Sequence, residues 1–124
     1  MSNAFRVLIV NPDAVLGGRL AEPLQAAGYR VTALTRFDEA SARLKAEHFD
    51  AVVAAERLGT HNGLHLIIRA RAEGRLAAAV VTCTDPDPVL ENDARELGAT
   101  CLVAPWLAPA ELLAVIARGT AAAI

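Results

Sequence analysis

The sequence has few cysteines and no long apolar run, and each absence excludes a class of protein. Only Cys83 and Cys101 are present, without a Cys-x-x-Cys spacing, so neither a disulfide framework nor a cysteine zinc site is expected. No apolar run approaches the ~20 residues that span a bilayer, and the N-terminus lacks the charged segment and apolar core of a signal peptide. We therefore expect a cytoplasmic protein with no membrane association.

The chain also lacks an excess of charge of either sign. Its 12 Lys and Arg residues are interleaved with 14 Asp and Glu residues, and the net charge is -2. Without a basic face, nucleic acid is not an expected partner. What the chain does have is a hydrophobic fraction of 54% over 124 residues, which suits one closed core. We expect a single domain over residues 5–122 with no second domain, and residues 2–4 are left out of the fold prediction.

Five short apolar runs alternate with amphipathic helical patterns. Runs of this length that do not alternate with polar residues are typical of parallel strands covered on both faces. The pattern predicts an α/β fold, a flavodoxin-like doubly wound sheet of five parallel strands in the order 2-1-3-4-5 with five helices. The five runs are Arg6–Val10, Tyr29–Thr35, Phe49–Ala55, Ala77–Cys83 and Cys101–Val103.

Capping residues mark several helix ends. Asp13 is expected to cap the first helix, and Asp87 followed by Pro88 is expected to begin the fourth. Gly74 is placed to end the third helix, and Gly119 is expected to end the last one.

The candidate site lies where the strands end. In an open parallel sheet, ligands bind beyond the carboxyl ends of the strands, at the point where the strand order reverses. Those ends carry Asn11–Asp13, Ala55–Arg57, Thr82–Thr84 and Ala104. Asparagine, proline and alanine stand at the leading positions, which does not favour catalysis at this edge.

The whole chain resembles the receiver domain of two-component response regulators. The resemblance rests on RVLIVNPD, FDAVVAAERLGTHNGLHLI, VVTCT and GATCLVAPW in this order, with Gly63 after the third-strand loop and Pro105 after the fifth strand. It implies a role in two-component or phosphorelay signalling. It also implies a cis peptide bond before Pro105.

The resemblance identifies the phosphorylation pocket and shows that the pocket is degenerate. In receivers, two acids bind a divalent cation, an Asp accepts the phosphoryl group, and a hydroxyl and a Lys bind its oxygens. Aspartyl phosphorylation needs a carboxylate, oxygen ligands for a hard cation and positive charge. We therefore expect a phosphorylation-independent receiver with no metal and no cofactor, in which Asp13 and Glu56 are the residual carboxylates. The matching positions are Asn11 and Pro12, Ala55, Thr82 and Ala104, and only Thr82 keeps the family's residue type.

Protein partners are the remaining route for a signal. In receivers, the face formed by the fourth helix, fifth strand and fifth helix docks partners or forms homodimers, and tryptophan is enriched at interfaces. We expect the chain to act through protein–protein contacts in a signalling pathway rather than as an enzyme. The candidate residues of this face are Cys101, Pro105, Trp106 and Leu107. An aromatic residue at the position of Trp106 can equally cover the core, and both places stay open.

Two other functions stay open at this stage. In the first, a small enzyme, Cys83 and His61 would form a nucleophile pair, but a cysteine in an apolar strand is expected to be inert. In the second, the crevice would hold a nucleotide or flavin, although the turn after the first strand lacks a glycine-rich phosphate loop. His61 and His65 lie four residues apart but have no third metal ligand in the sequence.

Overall fold

The computed structural model describes residues 5–122, which form a five-stranded parallel sheet covered by helices on both faces. The predicted fold class is confirmed. Residues 2–4 lie outside the described residues. The strands are β1 (Arg6–Val10), β2 (Arg30–Leu34), β3 (Ala51–Ala55), β4 (Arg57–Leu58), β5 (His61–Asn62), β6 (Ala78–Cys83) and β7 (Thr100–Val103). The helices are α1 (Ala14–Ala26), α2 (Phe37–Ala46), α3 (Gly63–Glu73), α4 (Pro88–Glu96) and α5 (Ala110–Ala122), with a 3-10 turn at Pro105–Leu107.

The main sheet has the order β2-β1-β3-β6-β7. This is the predicted order 2-1-3-4-5 when only the strands of the main sheet are counted. Val10 pairs with Ala54, and Ala55 pairs with Thr82, so that β1, β3 and β6 end almost level with one another. Their carboxyl ends therefore share one edge of the sheet.

Successive side chains of each strand enter different halves of the core, because they point to opposite faces of the sheet. On β1, Leu8 and Val10 pack with residues of α2, α3 and α4. Val7 and Ile9 pack on the opposite face with residues of α1 and α5. The next residue in the alternation, Asn11, therefore falls on the side of α1 and α5, and its Cβ lies close to α1.

The predicted caps form as expected. The Asp13 carboxylate accepts hydrogen bonds from the amides of Val15 and Leu16, and Asp87 caps α4 in front of Pro88. Gly74 follows the last residue of α3. These three signals are local, which explains why the sequence predicts them correctly.

The expectation that Gly119 ends the last helix is wrong. Helix α5 continues through Gly119 to Ala122. A Cβ at position 119 would lie less than 3.0 Å from the carbonyl oxygen of Ala77, just before β6. Glycine is present there because α5 packs directly against the sheet backbone, not because the helix stops.

A two-stranded hairpin between β3 and α3 is not predicted by the sequence reasoning. Its strands β4 and β5 pair antiparallel through Arg57 with Asn62 and Leu58 with His61. Gly59 in the turn has a φ of 66°, a conformation that glycine adopts without strain. The hairpin fixes the course of the chain directly beside the carboxyl ends of the strands.

Among the described residues, no helix is both long enough and apolar enough to cross a membrane.

Candidate functional site

A cleft of about 240 Å³ opens at the carboxyl ends of β1, β3 and β6. It brings together six of the seven pocket positions that the sequence predicts, and Ala104 is not part of its lining. The six are Asn11, Pro12, Asp13, Ala55, Glu56 and Thr82.

The floor of the cleft is built from three neighbouring strands. Ala55 stands in the middle, in register with Thr82 of β6, and Asn11 follows the end of β1 on the other side. Asn11 is 5% exposed and Thr82 is 2% exposed. The centre of this floor is thus a methyl group with a buried amide and a buried hydroxyl on its two sides.

Backbone contacts hold the floor in place. The amide of Glu56 donates to the carbonyl oxygen of Thr82, and the amide of Gly63 donates to the carbonyl oxygen of Glu56, both at 2.8 Å. A Cβ at Gly63 would lie less than 3.0 Å from the carbonyl oxygen of Ala55. The glycine that follows the third-strand loop in the sequence therefore allows α3 to begin against the end of β3.

The two residual carboxylates, Asp13 and Glu56, lie on different sides of the cleft floor. Asp13 caps α1, with Oδ1 accepting from the amide of Val15 at 2.9 Å, and its own amide donates to Oδ1 of Asn11 at 2.9 Å. Glu56 is half-buried on the other side of the floor, after the end of β3. Within residues 5–122, no group of three or more His, Cys, Asp or Glu side chains is arranged to hold a metal ion.

The segment after β7 differs from the expectation. No peptide bond within residues 5–122 is cis, so the cis bond expected before Pro105 is wrong. Ala104 instead has a left-handed backbone with a φ of 43°, and its amide donates to the carbonyl oxygen of Cys83 at 2.7 Å. Pro105 then begins a 3-10 turn. This turn changes the direction of the chain within three residues.

The turn places Trp106 in the cleft. Trp106 lines it together with Leu16 of α1 and packs against the core between the sheet and the α1 and α5 helices. The sequence leaves two places open for this tryptophan, an interaction face and the cover of the core, and in the structure it packs against the core. The buried Pro105 directly before it is the one local signal for a tight turn, and that signal does not specify which way the indole points.

The other residues of the predicted interaction face differ in exposure. Pro105 is buried and Cys101 is half-buried, whereas Leu107 is 76% exposed. Val103 at the end of β7 is 47% exposed. The apolar surface on this side of the described residues therefore includes Leu107 and Val103 rather than Pro105.

The two cysteines lie together beside the cleft, with their Sγ atoms 3.9 Å apart and both thiols free. Burial raises the pKa of the Cys83 thiol, and burial raises the pKa of the Cys101 thiol to about 12. Both are therefore protonated near neutral pH and are poor nucleophiles.

The histidine needed for a Cys–His pair is elsewhere. His61 lies in the β4–β5 hairpin, where its ring stacks on that of Phe37 with centroids 3.9 Å apart, and it does not line the cleft with Cys83. His65 is exposed on α3. Cys83 and His61 are thus not brought together.

Comparison with known proteins gives structural matches only. No family model matches the chain, and no curated protein matches it significantly. Among solved structures, the chemotaxis response regulator CheY4 of Vibrio cholerae is 22% identical, with a TM-score of 0.80 over 94% of this chain and 99% of that one. A response regulator from Burkholderia pseudomallei, solved with a phosphorylated aspartic acid, a calcium ion and citrate, is 25% identical. Its TM-score is 0.81 over 95% of this chain and 70% of that one.

A third match is the orphan response regulator HP1043 of H. pylori. It is 21% identical, with a TM-score of 0.81 over 96% of this chain and 98% of that one. These likenesses show that the chain has the fold of response-regulator receiver domains. Because the identities are low, the chemistry of the cleft has to be argued from the residues of this chain.

Proposed function

We propose that this chain is a receiver domain of two-component or phosphorelay signalling that works without aspartyl phosphorylation and acts through protein contacts, not as an enzyme. The observation that carries the proposal is the position of Ala55. It ends β3 in register with Thr82, at the centre of the cleft floor. A methyl group at that point cannot attack a phosphoryl donor.

The surrounding positions support the same conclusion. A receiver-type phosphorylation needs oxygen ligands for a hard cation and a positive charge on the phosphoryl oxygens. Asn11 uses its Oδ1 to accept the Asp13 amide, and Pro12 offers only a carbonyl. Ala104, at the position of the family's lysine, carries no charge. The Thr82 hydroxyl is the one group of the family's pocket that remains.

The described domain, residues 5–122, is the unit that we expect to dock with partners. Its exposed apolar side chains near the end of β7, Val103 and Leu107, suit a contact through α4, β7 and α5. We propose this face for a homodimer or for a protein partner in the pathway. A cytoplasmic location agrees with this role.

Restoring the missing chemistry tests the first part of the proposal. The unmodified chain is treated with acetyl phosphate and Mg²⁺, and its intact mass is measured. We expect no phosphate on the natural sequence or on Ala55→Asp alone. We expect phosphate on the variant that combines Ala55→Asp with Asn11→Asp, Pro12→Asp and Ala104→Lys.

Phosphate on the natural chain would overturn the proposal, and the residue that carries it would be identified by fragmentation. A folded fourfold variant that takes up no phosphate would show that the cleft differs from a receiver pocket in more than these positions. Circular dichroism of each variant confirms that the fold is retained.

Self-association tests the second part. The pure protein is sized over a range of concentrations, and Val103→Ser and Leu107→Ser are compared with Ile68→Ser, an exposed apolar residue on α3. We expect the first two changes to weaken the dimer and the third to leave it unchanged. Equal effects of all three would contradict the proposed face.

A further inference from the structure

Two side chains on the cleft floor are almost completely buried and still have unused hydrogen-bond donors. Asn11 accepts the Asp13 amide, and since only the Oδ1 atom can accept, Nδ2 points elsewhere. Within residues 5–122, neither Asn11 Nδ2 nor Thr82 Oγ1 has a hydrogen-bond partner. A donor that has no protein partner is free to bind water or a ligand that offers an acceptor atom.

Asn11 and Thr82 both line the cleft. Every described side-chain nitrogen or oxygen that is wholly shut off from solvent has a partner, so these two unpaired atoms retain access to solvent. Both residues also fall on the α1 and α5 side of the sheet by the strand alternation, with Ala55 between them.

The residues that line the cleft indicate what kind of ligand could accept hydrogen bonds from these two donors. Leu16 and Trp106 supply an apolar and aromatic wall. The charged residues that line the cleft are Asp13, Glu56 and Arg57, so that the sum of their charges is negative. This balance disfavours phosphate or another anion. A volume of about 240 Å³ is below the ~300 Å³ lower bound of ordinary ligand pockets, which favours a molecule smaller than a flavin or dinucleotide.

We propose that the cleft binds a small, neutral, flat molecule with a carbonyl oxygen, such as an aromatic amide or lactam. The carbonyl oxygen accepts hydrogen bonds from Asn11 Nδ2 and Thr82 Oγ1 above the Ala55 methyl. The flat body of the molecule lies against Trp106. The inference rests on the proposed function, because such a ligand would take the place of phosphorylation as the input to the domain.

Benzamide is the probe for this site. The full chain is titrated while amide resonances and Trp106 fluorescence are followed, with benzoate and inorganic phosphate as charged comparisons. We expect benzamide to shift the amides next to Asn11, Ala55 and Thr82 and to change the fluorescence. We expect benzoate and phosphate to bind at least tenfold more weakly.

Two nearly isosteric variants test the donors. Thr82→Val removes the hydroxyl, and Asn11→Asp keeps the acceptor for the Asp13 amide while it removes the NH₂ group. Each should weaken benzamide binding about fivefold or more, the effect of one hydrogen bond. Thr100→Val, at an exposed position on β7, should have no effect.

The inference is overturned if benzamide causes no shift, if the charged compounds bind as well as benzamide does, or if Thr82→Val binds it like the natural chain. The comparison of the three compounds uses the natural chain alone, so it stays decisive if a variant fails to fold. Phosphate uptake from acetyl phosphate, measured separately, bears on the proposed function and not on this ligand.

Discussion

The two edges of the same parallel sheet are built in opposite ways. At the amino edge, before β1 and β3, the charged side chains pair with one another. Glu47 forms ion pairs with both Arg6 and Arg43, and His48 contacts Asp50 at 3.2 Å. At the carboxyl edge, two donors of the cleft floor, Asn11 Nδ2 and Thr82 Oγ1, have no hydrogen-bond partner within residues 5–122, although Asn11 Oδ1 accepts the Asp13 amide. The amino edge uses its polar groups to join the strands, whereas the carboxyl edge has two donors that are available to a ligand.

Asp50 shows how the amino edge is joined. Its Oδ2 accepts from the amide of Arg6 at 2.7 Å, and its carbonyl oxygen accepts from the amide of Ala77 at 2.7 Å. One residue thus links β1, β3 and the start of β6. No residue of the cleft floor makes a comparable set of side-chain contacts within residues 5–122. Because contacts at the amino edge hold the sheet together, the residue types at the carboxyl edge are free to vary.

The largest expected effects come from the glycine at each edge where a helix touches the sheet backbone. Gly63→Ala and Gly119→Ala each place a Cβ against a carbonyl oxygen, and each should lower the free energy of unfolding by about 3 kcal/mol. Gly18→Ala in α1, where nothing lies within 4 Å of the new Cβ, should be neutral or stabilising. Urea denaturation measures all three. Tolerance of alanine at position 63 alone would show that the carboxyl edge is the more adaptable one.

A charged residue at the cleft floor should lower the free energy of unfolding by less than the glycine substitutions do. Ala55→Asp places a half-buried carboxylate between Asn11 and Thr82 without a cation, and it should destabilise by about 2 kcal/mol. Ala55→Asn has nearly the same size without the charge and should cost less. Thermal unfolding of both variants separates charge from size. If Ala55→Asn is destabilised as much as Ala55→Asp, the loss of stability arises from the size of the new side chain and not from its charge.

At the amino edge, removing the carboxylate of Asp50 leaves the amide of Arg6 without its side-chain partner. Asp50→Ala should destabilise by about 1 to 2 kcal/mol, whereas Asp50→Asn keeps an acceptor oxygen and should lose less. Denaturant unfolding measures both. If Asp50→Ala leaves the stability unchanged, the view that the strands are joined at the amino edge would be contradicted.

The smallest expected effect is a loss of stability at acid pH. The neighbouring Arg43 and Arg6 guanidinium groups hold the pKa of Glu47 below its ordinary value of 4.5. The unfolded chain therefore binds this proton at a higher pH than the folded chain does. The stabilisation from Glu47 is complete above pH 4.5 and is lost as pH falls through the lowered pKa.

Glu47→Gln should remove that part of the acid dependence, and Glu22→Gln on the exposed side of α1 should not. Stability measured between neutral and acid pH compares the two variants. An identical pH profile for Glu47→Gln and the natural chain would show that the ion pairs with Glu47 contribute nothing in solution.

Much of the fold and part of the site could be predicted from the sequence. Features that depend on contacts between nearby residues were predicted, and features that depend on contacts between distant residues were not. Asp13, Asp87 and Gly74 act on backbone groups one to four residues away, so their effect is visible in the sequence. Gly119 was misread because its role is contact with Ala77, which lies far away in the chain. The sequence could not decide between the two places for Trp106, because the direction of its side chain depends on the 3-10 turn that follows β7.

The alternation of strands and helices, their order in the sheet and the residue types at the strand ends can be read from the amino-acid sequence, because apolar periodicity and local capping act over short distances. Three features became visible only in the folded chain. Trp106 lines one side of the cleft, and His61 lies in the β4–β5 hairpin and does not line the cleft with Cys83. Asn11 and Thr82 have donors without a protein partner on either side of Ala55. Those outcomes depend on which distant backbone and side-chain atoms meet when the chain closes.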